Sequence, residues 1–220
     1  PELLFYIFLP TLIFEAAYTV PLKKFYHSFF SISLLSTIGL LVAAFVVATL
    51  SYVGLQLVGI DIPFIILLLF GSIISATDPI GVLSLFKTLG APQRLSLLFE
   101  GESLFNDATA VALFLSVLAV VEAGGDIGYN SALSALSMFT SMIVLGILVG
   151  IVIGKIFSFL VRKSRHMDMV TLLFMLVMAH TSFVSSELLN EFLTTSGLAL
   201  GISPIIVTTI ASMELGNNGA

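Results

Sequence analysis

Apolar residues run along this chain in stretches far longer than one face of a soluble helix needs, separated by short polar or Gly/Pro-rich punctuation. Seven such stretches are marked off, at 2–18, 28–58, 63–86, 95–121, 132–160, 169–187 and 198–213. A helix crosses the hydrocarbon layer in about 20 residues, so most of the stretches are long enough to span; the first and last are short.

The punctuation has an order of its own. Lys23 and Lys24 follow the first stretch, Asp61 the second, and Lys87 and Arg94 the third. Glu122 and Asp126 follow the fourth, Arg162, Lys163 and Arg165 the fifth, and Glu187 and Glu191 the sixth. Basic and acidic loops alternate, which is the pattern left when Lys and Arg are kept on the cytoplasmic side. The reading is a single transmembrane domain over 1–220, entering from the outside, with cytoplasmic loops at 19–27, 87–94 and 161–168.

Composition sharpens this. Of 220 residues 58% are hydrophobic and 10% charged, with a mean hydropathy of +1.16. A soluble domain carries about a quarter charged residues, so the expected class is an all-α polytopic membrane protein with lipid as its main solvent. The net charge of −5 and the scattered Lys and Arg offer no face to nucleic acid. Without Cys there is no disulfide framework, thiolate metal site or cysteine nucleophile, and three isolated His do not make a zinc site. No nucleotide loop, metalloprotease helix or nucleophile elbow is present, so neither an enzyme nor a cofactor is expected. The opening at Pro1, already inside an apolar run and without a signal peptide's charged start, reads as an internal fragment.

Gly146, Gly150 and Gly154 share one helix face at four-residue spacing, which lets a second backbone approach closely. Ser33, Gly39, Ala43, Ala44 and Ala48 do the same for the second stretch. Both read as packing.

A carboxylate at membrane depth costs several kcal/mol unless paired, protonated or open to water, so each one requires a reason. The third stretch holds Thr77, Asp78 and Pro79 where a continuous helix should be most apolar. Pro79 has no N–H to donate and disfavours helical geometry at Asp78, so the pattern predicts a break near 76–79. One half-helix ends near Ser75 with open carbonyls, and a second begins near Pro79 under an Asp78 cap. The competing reading is a proline kink whose Asp merely caps backbone.

The fourth stretch holds Glu102, Ser103, Asn106 and Asp107. At 100° per residue Ser103 and Asp107 share a face beside the Glu102 and Asn106 pair. Counting about 1.5 Å per residue from Leu95 puts Asp107 near the middle of a layer roughly 30 Å thick, with Asp78 at comparable depth. Acids, an amide and a hydroxyl beside an interrupted helix make a hard-oxygen site suited to cations and protons. Glu15 lies near the end of the first stretch, and spacing alone leaves its role open. His180, among Thr181, Ser182, Ser185 and Ser186, reads as a hydrogen-bonded bundle histidine ahead of a proton relay.

Three segments now carry a resemblance. SATDPIGVL at 75–83 and FEGESLFNDAT at 99–109 resemble the central motifs of the cation:proton antiporter-1 family, the sodium/proton exchanger type, and FLPTLIFEAAY at 8–18 resembles its preceding signature. The likeness is strong over 2–121 and rests mainly on hydropathy beyond. It implies an inverted-repeat antiporter fold with discontinuous helices, of which this chain holds part, including one of the breaks. It also implies ion-binding roles for Glu15, for Thr77 through its backbone carbonyl, and for Asp78, Glu102, Ser103, Asn106 and Asp107. Sodium would be carried at Asp107, Asp78, Ser103, Thr77 and Glu15.

Asn106, standing where electrogenic relatives have a second Asp, implies electroneutral exchange. A homodimer of the full-length protein in the plasma membrane is implied as well. The sequence departs from the family pattern at Ser203 and Pro204, where Ser-Gly is usual, and 194–201 reads as added length. The expected mechanism is competition of a proton and a monovalent cation for Asp107. The rival class is a cation channel or a non-transporting membrane scaffold, and the fragment is expected to be inactive alone.

Overall fold

The computed structural model describes residues 4–124, 128–164, 168–196, 198 and 200–219. Asp126 and Arg165, which mark two of the loops above, lie outside the described residues. Nine α-helices form among the described residues: α1 Leu9–Tyr18, α2 Leu22–Ser33, α3 Leu40–Leu57, α4 Phe64–Ile74, α5 Ile80–Leu89, α6 Gln93–Glu122, α7 Tyr129–Lys163, α8 Asp168–Thr195 and α9 Pro204–Asn218. A π-helical turn at Leu4–Phe8 leads into α1, and a second at Leu34–Gly39 joins α2 to α3. Four helical runs are long and apolar enough to cross a membrane: Leu22–Leu57, Gln93–Glu122, Tyr129–Lys163 and Met169–Leu193. Tyr6–Tyr18 and Phe64–Ile74 are shorter apolar helices. Large apolar side chains such as Phe45, Leu50, Leu148 and Phe159 stand exposed on them, as lipid-facing positions do. This is an all-α, multi-pass integral membrane protein.

The helices extend into stretches that the charge pattern assigns to loops. Lys23 and Lys24 sit in the first turn of α2, which starts where Lys24 and Phe25 N–H groups donate to the Pro21 carbonyl at 3.1 and 3.0 Å. Proline fixes a helix-ready φ, and lysines on a helix end reach water without breaking it. Arg162 and Lys163 likewise form the last turn of α7, where cations suit the helix dipole. The seventh stretch departs in the other direction. Helix begins only at Pro204, under a Ser203 side chain that accepts from Ile206 N–H at 3.4 Å. Gly201, Ile202 and Ser203 before it are non-helical and buried. Their backbone is met by side chains, with Gly201 N–H donating to Ser141 Oγ at 2.9 Å and Ile202 N–H to Asn190 Oδ1 at 3.1 Å.

The chain forms two compact units, one of Pro1–His27 with Thr140–Ala220 and one of Ser28–Phe139. In the first unit Val161, Met178, Ala211 and Leu215 make a core against which Phe14, Tyr18, Phe157 and Phe174 pack. The glycine stripe of α7 faces α9. A Cβ at Gly146 would meet Ile206 at 2.9 Å, at Gly150 Ile210 at 2.8 Å, and at Gly154 Glu214 at 2.7 Å. Both numberings rise together, so α7 and α9 are parallel at backbone-contact distance. Ser182 of α8 donates to Thr208 at 3.1 Å, and Asn190 meets Ile202, so α8 runs antiparallel to α9.

In the second unit α4 lies against α3. A Cβ at Gly71 would collide with the Ala44 carbonyl, and Ala44 and Ala48 are fully buried. Phe64 packs edge-on against Phe45 and Tyr52 at 5.5 and 6.0 Å, fixing the two helices antiparallel. Gly101 plays the same part for α6, since a Cβ there would stand 2.7 Å from Ile32.

Candidate cation and proton site

Between α4 and α5 the backbone is unwound over residues 75–79. Ser75 N–H donates to the Gly71 carbonyl at 3.0 Å, closing α4. Its following carbonyls have no next turn to bond and carry the negative end of that helix. Asp78 Oδ1 accepts from Ile80 N–H at 3.0 Å, capping α5, and Leu83 N–H donates to the Pro79 carbonyl at 2.8 Å. Asp78 caps its half-helix and remains exposed, while Pro79 is buried.

α6 runs beside this break and is tied to it by three side chains. Asn106 Nδ2 donates to Glu102 Oε1, one turn earlier, at 3.0 Å, and to Thr77 Oγ1 at 3.1 Å. Thr77 Oγ1 in turn donates to Glu102 Oε1 at 3.4 Å. Each member bonds the other two. Asn106 is 2% exposed and Glu102 half-buried, so the two bonds that Asn106 donates are partly shielded from water, whereas the Thr77 to Glu102 bond is exposed. Thr77 thus contributes its hydroxyl to this knot, in addition to the carbonyl that the family motif implies.

Asp107, the next residue, has different surroundings. It is exposed, and its carboxylate accepts no hydrogen bond among the described residues. Asp78 and Glu102 are the charges that act on it. Ser103, one turn before it, is half-buried. The residues therefore have separate roles, with Thr77, Glu102 and Asn106 bracing the break, Asp78 capping α5, and Asp107 with Ser103 presenting free oxygens beside them. Among the described residues no three His, Cys, Asp or Glu groups stand close enough to hold a metal ion together. A site of one free carboxylate with hydroxyls and carbonyls suits a weakly held monovalent cation better than a divalent one.

The Thr77 knot also forms one wall of a cleft of about 400 Å³, otherwise lined by apolar residues including Leu40, Leu98 and Phe99. Ser75 Oγ and Asn106 Oδ1 line it and are buried without a hydrogen-bond partner among the described residues.

Glu15 belongs to the other compact unit. It lies on the exposed side of α1, opposite the buried Pro10, Ile13 and Ala17. His180 is half-buried and donates through Nδ1 to the Leu176 carbonyl of its own helix at 2.9 Å. Sequence reasoning does not find Ser75 as a cleft residue or Gly101 as a contact point. Gly101 is open to the argument applied to the α7 glycines, whereas the place of Ser75 in the cleft wall follows only from the geometry of the break.

Comparison with known proteins shows the family of the chain. A family model described as sodium/hydrogen exchanger, transmembrane, matches residues 1–211, which extends the likeness well past 121. The chain is 34% identical over 221 residues to the low-affinity Na(+)/H(+) antiporter NhaS1 of Synechocystis sp., covering 100% of this chain and 38% of that protein. It is 35% identical over 222 residues to the Na(+)/H(+) antiporter NhaP of Pseudomonas aeruginosa, covering 99% and 48%. With sodium/hydrogen exchanger 3 of Oryctolagus cuniculus it shares 32% over 196 residues, 86% of this chain and 23% of the exchanger. The chain spans less than half the length of these curated relatives. With the match covering nearly all of its residues, the chain belongs to the transmembrane sodium/hydrogen exchanger family.

Proposed function

We propose that this chain forms the cation-binding part of a secondary antiporter that exchanges Na+ for protons, one for one and without net charge movement. The observation that carries the reading is the knot of Thr77, Glu102 and Asn106, which holds an unwound, Asp78-capped segment open beside the unbonded carboxylate of Asp107. An acid in that position trades a proton for a partly dehydrated cation, and neither ligand requires a cofactor. Asn106 supports electroneutrality, because a neutral amide where a second acid would stand leaves one carboxylate to cycle. Glu15 supplies a further carboxylate through the family motif of α1.

The seven-crossing topology, entry from the outside, the plasma membrane and a homodimer of the full-length protein belong to the same proposal. The parallel course of α7 and α9 against α8 supports the alternation of crossings. Inverted repeats also belong to it, with the portion of length that relatives possess and this chain does not cover supplying the second broken helix.

The test is sodium-driven proton movement in everted vesicles holding the full-length protein, with Asp107→Asn as the decisive variant. Abolished exchange at unchanged abundance supports the reading. Retained exchange overturns it, and sodium flux without coupled protons would establish a channel instead.

A further inference from the structure

The knot at the break spends its donors and leaves acceptors behind. Asn106 Nδ2 gives its hydrogens to Glu102 Oε1 at 3.0 Å and to Thr77 Oγ1 at 3.1 Å, and the Thr77 hydroxyl gives its own to Glu102 Oε1 at 3.4 Å. The amide cannot be turned round, because Asn106 Oδ1 would then face the Glu102 carboxylate, acceptor against acceptor. Asn106 Oδ1 is therefore left over, in the wall of the cleft of about 400 Å³, buried and without a hydrogen-bond partner among the described residues. Ser75 lines the same cleft, two residues before Thr77 and so within about 7 Å of it along the backbone, and its Oγ is buried and unpartnered in the same way. Asn106 is 2% and Ser75 7% exposed, so neither oxygen turns to bulk water instead. A buried polar atom without a partner is costly, and two of them in one wall point to a donor from outside the knot. All the lining residues belong to the unit of Ser28–Phe139.

The rest of the wall defines that donor. Leu40, Leu95, Leu98 and Phe99 line the cleft and bring no polar side-chain atom to it. Water satisfies an oxygen but gains nothing from such side chains, and apolar cavities of this kind stay dry. An anion would meet the Glu102 carboxylate and two further acceptors, so carboxylates and phosphates are repelled. A positive head with several N–H groups suits all three acceptors, an apolar body suits the remainder, and cavities of roughly 300–1,000 Å³ take small molecules of that build. We propose that this cleft is a binding site for a primary ammonium carried on a compact apolar body, its N–H groups shared among Asn106 Oδ1, Ser75 Oγ and Glu102. Asp107 is not among the lining residues, being turned by about 100° from Asn106 around α6, so the ammonium site is separate from the proposed cation site.

The test is equilibrium binding of radiolabelled 2-phenylethylammonium to the purified full-length protein in sodium-free buffer. Saturable binding of one ammonium per chain is expected. 2-Phenylethanol, phenylacetate and the N,N,N-trimethylated ammonium share the body and lack the charge or the donors, so each should compete at least about tenfold more weakly. Ser75→Ala removes one acceptor and should weaken binding about tenfold, the scale of a hydrogen bond to a charged group. Ala43→Phe, which fills the cleft from α3, should abolish binding, and Asp107→Asn should leave it unchanged.

Loss of binding in Asp107→Asn, with retention in Ser75→Ala and Ala43→Phe, would put the ammonium on the proposed cation site and overturn the inference. Equal affinity for the alcohol or the trimethylated ammonium would show apolar partition alone, and the absence of saturable binding would leave no ammonium site; either overturns it. If Ala43→Phe does not reach the membrane, Ser75→Ala, which changes no bulk beyond one oxygen, decides by itself. None of these outcomes bears on sodium-driven proton movement, which Asp107→Asn tests separately.

Discussion

Asp107 and Asn106 are sequence neighbours with opposite surroundings, one exposed and unbonded, the other 2% exposed and bonded to two partners. Helical geometry turns consecutive side chains by 100°, so one of the pair braces the break while the other stands exposed beside it. Asp107→Asn should therefore abolish sodium-driven proton movement while leaving thermal stability nearly unchanged, as dye-monitored vesicles and a melting curve of the same protein would show. The proposed competition for one carboxylate also fixes a pH dependence. Protonation removes the cation's ligand, so apparent KM for Na+ should rise as pH falls, approaching about tenfold per pH unit on the acid side. A pH-independent KM would count against competition. Thr77→Val deletes two bonds of the knot and leaves buried partners short, at a cost of about 1–3 kcal/mol. Its melting temperature should drop measurably, whereas Asp107→Asn should not show that drop.

At the scale of elements, glycine sets how closely helices meet and proline sets where they start. Gly71 admits the Ala44 carbonyl, Gly101 admits Ile32, and the α7 stripe admits α9. Gly71→Val would force α4 away from α3 and carry the break with it. Overpacking of this kind costs about 1–3 kcal/mol, so reduced membrane abundance and a lower melting temperature are expected together. The break itself was legible, because Asp78 and Pro79 stand where a spanning helix cannot continue. The late start of α9 was legible only in part. Ser203 and Pro204 are a helix-start pair, but the apolar run on both sides hides that Gly201 and Ile202 are bonded by Ser141 and Asn190 from other helices.

For the whole molecule, alternating loop charge yields a labelling pattern. Single cysteines at Lys23 and Lys163 should react with an impermeant reagent only from the cytoplasm, and one at Tyr129, which is 82% exposed, only from outside. Reaction of Tyr129→Cys and Lys163→Cys from the same side would break the seven-crossing scheme. The 220 residues by themselves should insert yet fail to exchange, since a midplane site of this class lies between two broken helices whose dipole ends offset each other. Saturable sodium-coupled proton flux by the purified chain, lost in Asp107→Asn, would refute that and require two copies to supply the second break to one another.

Hydropathy and residue type were enough to establish a helical membrane protein, because no arrangement of 21 charges wets a chain this apolar and lipid leaves backbone few options besides helix. They also located the break and the acids, since Pro79 and a carboxylate inside an apolar stretch are each anomalous without reference to anything else in the fold. Pairing across distance was not legible. That Thr77 reaches Asn106 with its hydroxyl, that Gly216 and Asn217 meet residues 18–22 between α1 and α2, and that residues 1–27 pack with 140–220 all join positions far apart in sequence. Apolar stretches in lipid have no hydrophobic preference for one another, so close van der Waals fit and a few interhelical hydrogen bonds choose the partners, and those exist only once the helices have met.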